Sequence, residues 1–209
     1  MKGLWLPRMV FCIFLTMLTV GLQVYSVRST QRQVAREVVR FHVLANSDSV
    51  KDQKTKLQVR DVLVAHLQNK MKKIKSKAEA EGYLQAHKKE LQKLAERTLT
   101  HLREKKLVKV YLTNKKFPVK RYGDVVFPAG NYDTLQVEIG NAKGKNWWCV
   151  MYPTLCMIDE AHASVPLESK EKLKKGVKAE AYESITCEKE TPVETEIHFK
   201  MVEWLLREK

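Results

Sequence analysis

The sequence predicts an α+β fold: an antiparallel sheet of four to five strands with two helices packed on one face, plus a C-terminal amphipathic helix. Two long segments between residues 49 and 103 repeat apolar residues at steps of three and four, and each opens on a capping serine. Short β-branched and aromatic runs with a period of two flank them, one before the helices and three or four after. Helices grouped apart from antiparallel strands form layers rather than alternating βα units. A chain of 209 residues is long enough for one well-cored domain with a tail.

The N-terminus reads MKGLWLPRMVFCIFLTMLTVGLQVYS. Lys2 and Arg8 form a positive region, Met9 to Leu22 is almost unbroken apolar, and Val24 and Ser26 offer small residues for cleavage after Ser26. This is the order of a secretory signal, with an uncleaved membrane anchor as the alternative over residues 1–26. A buried helix of a soluble protein is disfavoured because the run has no polar face. The net charge is +14. On an exported domain, such a charge suits an anionic setting, a membrane surface or a cell-wall polymer, rather than nucleic acid. Simple solubility is the plainer reading.

The domain is expected over 38–158. VVRFHVLA at 38–45 reads as a strand with Val39, Phe41, Val43 and Ala45 on one face. NSDS at 46–49 turns the chain. Ser49 with Asp52 then forms a capping box, opening a helix to about Ile74 with Leu57, Leu63, Leu67, Met71 and Ile74 along its stripe. Ser76 with Glu79 opens a second helix to about Arg103, with Ala80, Leu84, His87, Leu91, Leu94, Thr98 and Leu102 facing inward. VKVYL at 108–112 is a strand, NKKFP a turn and Val125–Phe127 a short strand. Leu135, Val137 and Ile139 alternate with Thr134, Gln136 and Glu138 in the next strand. GNAKGK at 140–145 reads as a hairpin loop returning into NWWCVMYP, so 131–153 is expected to be one hairpin. Residues 159–195 read as a charged, loosely ordered linker. An amphipathic helix follows over 196–208, with Ile197, Met201, Trp204 and Leu205 on its apolar side.

Motifs for chemistry are absent. Cys149 and Cys156 lack the C-x-x-C spacing of redox enzymes, and no second pair completes a zinc set, so neither a metal nor a cofactor is expected. In an exported chain these two cysteines can close a disulfide if the strand turns after Tyr152. Two buried thiols are the alternative. Cys187 is left odd. None of the six histidines belongs to a metalloprotease array, and no G-x-S-x-G is present. Arg60–Asp61 reads as a local ion pair.

Together, HVLANSDS, KLQVRDVL, YGDVVFPAGNYDTLQVEIG and GKNWWCVMYPTLC, in this order from about Val38 to Cys156, resemble the stage II sporulation protein R family. The resemblance implies a signalling protein without enzymatic activity. It would be secreted from the forespore into the intermembrane space, to switch on a membrane-embedded aspartic protease of the mother cell that processes the sigma-E precursor. Beside it we place a candidate recognition face made of Asn46, Ser47 and Asp48 with the exposed member of Trp147 and Trp148. The alternative for the triplet is a turn and helix cap.

Overall fold

The computed structural model describes residues 5–156 and 165–186. The elements in chain order are α1 (Trp5–Glu37), β1 (Val39–Leu44), α2 (Val50–Lys73), α3 (Lys77–His101), β2 (Val108–Phe117), β3 (Lys120–Tyr122), β4 (Val125–Phe127), β5 (Gly130–Ile139), β6 (Asn146–Tyr152), α4 (Leu167–Gly176) and α5 (Ala179–Ile185). The α+β class holds. The expected C-terminal helix over 196–208 and Cys187 lie outside the described residues.

The main sheet has the order β2-β5-β1-β6, and β3 with β4 forms a separate two-stranded ribbon. β1 pairs with β5 in parallel and with β6 antiparallel, so the sheet is mixed rather than purely antiparallel. This corrects the expected 131–153 hairpin: β1 lies between β5 and β6, and residues 140–145 step over its end. Two strand spacings amount to roughly 10 Å, which six residues span easily. β1 takes the central place because five of its six residues are buried and only a strand covered on both faces suits that pattern.

One face of the sheet receives α2 and α3. Val39, Phe41 and Val43 of β1 and Leu135, Val137 and Ile139 of β5 meet Val59, Leu63 and Leu67 of α2 and Leu84, Leu91 and Leu99 of α3. Leu57, placed on the stripe by its spacing, is exposed, and Val59 and Val64 are buried instead. The expected turn at 114–118 is absent because β2 continues to Phe117, pairing residue by residue with β5 as far as Gly130.

The opposite face is covered too. A second apolar cluster joins Val34 of α1, Phe117, Val125, Phe127, Tyr132, Val150, Leu155, Leu173 of α4 and Ile185 of α5. The charged segment expected to be loose therefore carries two helices over 167–185. Their few apolar residues suffice because they close this cluster rather than build their own. Lys170 of α4 pairs with Asp124, which also accepts from the Val165 backbone N–H at 2.9 Å. α1 runs unbroken past Ser26, and its last turns dock here: Val34 is fully buried and Gln31 Nε2 donates to the Asn131 carbonyl at 2.9 Å. Its apolar part, by contrast, is wholly uncovered and long enough to cross a membrane.

Candidate functional site

The five residues of the candidate recognition face come together where β1 ends and β6 begins. Leu44 lies opposite Asn146, Val43 opposite Trp147 and His42 opposite Trp148. The loop after β1 grips the loop before β6 through backbone groups. Asn46 Oδ1 accepts from the Asn141 N–H at 2.9 Å, Asp48 Oδ1 accepts from the Lys145 N–H at 2.6 Å, and the Gly144 N–H donates to the Ala45 carbonyl at 2.9 Å. Gly140 has a left-handed backbone (φ +58°), and a Cβ there would lie 2.2 Å from Asn46 Oδ1.

Asp52 is the hub of this end. Ser49 Oγ caps α2 by accepting from the Asp52 N–H. The Asp52 carboxylate does not return the bond, so only half of the expected capping box forms. Instead it accepts from Asn46 Nδ2 at 2.8 Å and Ser47 Oγ at 2.5 Å, and pairs with Lys106 at 2.7 Å. Lys106 also binds Glu104, which pairs with Lys51 at 2.8 Å. The Lys106 ammonium, then Ser47 and Asn46, hold the Asp52 carboxyl well below the usual carboxylate range. Asn46 and Ser47 thus serve as turn and hub, while Asp48 remains exposed.

The tryptophans lie on opposite faces of β6, as alternation requires, but both are half-buried and neither stands free. Trp147 packs edge-on against Phe41 at 5.8 Å, with the Arg60 guanidinium 4.9 Å above its ring. Arg60 also pairs with Asp61, as its position suggested. Trp148 stacks on His42 at 3.7 Å and meets Phe117 edge-on at 4.4 Å. His42 Nε2 donates to Asn146 Oδ1 at 2.8 Å, and burial pushes the imidazole below its ordinary value. Lys56, itself buried, donates to Gln53 Oε1 and to the Lys145 carbonyl, and burial lowers it too.

Cys149 and Cys156 form the disulfide, with their Cα atoms 5.3 Å apart. The staple closes a groove of ≈ 290 Å³ along the outer side of β6, lined by Asn146, both tryptophans and, from the ribbon, Lys120, Arg121 and Tyr122. β6 is an end strand of the main sheet, so this groove runs beside an unextended sheet edge. Among the described residues no three His, Cys, Asp or Glu side chains are placed to hold a metal ion. The groups that converge along the groove are aromatic rings, cations and backbone.

Sequence reasoning missed Arg40, the buried centre of the second layer. Its guanidinium lies 4.4 Å from the Phe117 ring centre, 5.2 Å from those of Phe127 and Tyr132, and 5.4 Å from that of Tyr122, to whose hydroxyl it donates at 3.2 Å. Burial pushes the Tyr132 hydroxyl up to about 12. The signal was present: Arg40 and His42 occupy the alternate positions of a strand whose other positions are apolar.

Fold and site define an α+β domain carried on an apolar N-terminal helix and stapled beside an aromatic, basic groove. The family described as stage II sporulation protein R matches residues 35–162, and the chain belongs to that family. The chain is 29% identical to stage II sporulation protein R of Bacillus subtilis (strain 168), over 94% of this chain and 96% of that protein. No solved structure matches the chain at a significant level.

Proposed function

We propose that this chain is a secreted sporulation signal that activates a membrane-embedded aspartic protease across the intermembrane space, leading to cleavage of the sigma-E precursor. Membership of the stage II sporulation protein R family, matched from the end of α1 to beyond the disulfide, carries the reading. The exposed apolar length of α1 supports it, being compatible with a signal peptide or an anchor. A disulfide supports it as well, since such bonds persist in oxidising, extracytoplasmic compartments. The recognition face in this reading is the β6 groove lined by Trp147 and Trp148, together with the exposed Asp48, whose carboxylate accepts from the Lys145 N–H just before β6, and with Asn46 and Ser47, which brace the loop that carries Asp48.

The test is co-production, in a host that does not sporulate, of the sigma precursor, the protease and this chain, with and without residues 1–26. Processing only with the full chain supports an extracytoplasmic signal. Equal processing by the form lacking 1–26 overturns it. Asp48→Ala with export, folding and processing all intact removes Asp48 from the recognition face.

A further inference from the structure

The part of α1 that follows its apolar run carries a basic stripe outside the candidate recognition face. Arg28, Arg32 and Arg36 recur every four residues, so they form one stripe on the helix, and all three are exposed. Lys178, which precedes α5, joins them. The four cations line one wall of a cavity of ≈ 440 Å³ whose other lining residues include Gly21, Val24 and Tyr25. Among the described residues none of the four cations takes part in an ion pair.

The order along the helix matters. Met9 to Leu22 is almost unbroken apolar and uncovered, Val24, Tyr25 and Val27 continue it around Gln23 and Ser26, and Arg28 follows. Aromatic residues and then cations at the end of an apolar span match the interface and headgroup layers of a bilayer. Successive arginines rise roughly 6 Å along the helix. Arg28 and Arg32 therefore fall within the headgroup layer, with Arg36 and Lys178 at its upper rim. Because the last turns of α1 are docked through Val34, the stripe is rigidly tied to the domain.

We propose that this cavity binds the phosphate of an anionic phospholipid and so seats the domain at a fixed height on the membrane. The phosphate accepts hydrogen bonds from the arginine fork and Lys178, while the acyl chains follow Val24 and Gly21 down the apolar helix. Since the cavity uses residues on both sides of Ser26, the site belongs to the uncleaved, anchored form.

The experiment uses the full chain in neutral detergent micelles, with added phosphatidylglycerol or phosphatidylcholine, and counts lipids retained after gentle detergent release by native mass spectrometry. One phosphatidylglycerol per chain and no phosphatidylcholine is the expected result. Arg28→Gln/Arg32→Gln/Arg36→Gln is expected to cut retention by roughly a hundredfold, at about fivefold for each charge near the surface. Lys88→Gln/Lys89→Gln/Lys93→Gln, an equal charge loss on α3, is expected to leave it unchanged. Equal loss in both variants, or equal retention of the two lipids, overturns the proposal. Displacement of the lipid by millimolar inorganic phosphate would show a site for free phosphate instead. No outcome depends on sigma-precursor processing, so this proposal and the signalling reading fail separately.

Discussion

Arg40 holds a positive charge in a fully buried position among four aromatic rings, with a phenol and, among the described residues, no carboxylate as its polar partner. Ring faces favour a flat, weakly hydrated guanidinium over a compact ammonium. Arg40→Lys is therefore expected to destabilise the domain by about 2–4 kcal/mol, and by more than the neutral Arg40→Met, in urea unfolding. Burial disfavours the charged form of His42. Its proton affinity in the folded state lies below the ordinary 6.5, so stability is complete above that pH and falls as pH drops through and below it. His42→Gln is expected to remove this step from a plot of stability against pH. Asp52 adds a more acidic step, because its carboxyl titrates below the ordinary 3.8 and its contribution is lost only as pH falls beneath that value. Of these three residues, only Asp52 had a role visible beforehand, and only as a helix-start acid. The others depend on what covers the far face of β1.

At the scale of elements, α2 and α3 were legible because caps and apolar steps are local, whereas α4 and α5, in the charged segment, were not. Ser49 and Ser76 cap where their spacing placed them, and α2 and α3 end within two residues of the expected positions. Strand order was not legible. A period of two marks a strand but not its neighbour, so the six residues of GNAKGK looked like a hairpin loop when they are a bridge over β1. That bridge rests on Gly140. Gly140→Ala is expected to cost about 1–3 kcal/mol through its positive φ and its clash with Asn46. Combined with Asn46→Ala, the cost should fall short of the sum of the two, measured as a double-mutant cycle in denaturant. The disulfide belongs to this scale as well. Cys149→Ala/Cys156→Ala is expected to cost about 2–3 kcal/mol, the loop-closure value for so short a ring.

At the scale of the molecule, two apolar clusters sandwich one mixed sheet, and the N-terminal helix belongs partly to each world it joins. Its first part is uncovered and its last turns seal the second cluster. Deleting residues 1–26 is expected to leave the thermal midpoint of the domain unchanged. Deleting 1–37 removes Val34 from the core and is expected to lower that midpoint by several degrees, read by circular dichroism. The difference separates the uncovered apolar run, which is compatible with a signal peptide or a membrane anchor, from the last turns of α1, which fold with the domain. It also means that cleavage after Ser26 and retention of α1 both leave a folded domain, so the two fates differ in where the groove of β6 is held rather than in whether it exists.

The sequence by itself determined the class of fold, the two capped helices, the places of β1, β4, β5, β6 and the first half of β2, and the apolar N-terminal run, and it offered the disulfide as one of two states of the cysteine pair. Each rests on residues within a few positions of one another, where periodicity, capping and short loop closure act. Only the tertiary structure decided that β1 is central, that the second face of the sheet is covered, and that Arg40 and His42 are buried. Arg40 finds Tyr122 across 82 residues and His42 finds Asn146 across 104. Nothing local selects such partners; they follow from closing a hydrophobic core on both faces of the sheet, where every polar group enclosed must take the nearest ring, amide or cation that packing brings to it.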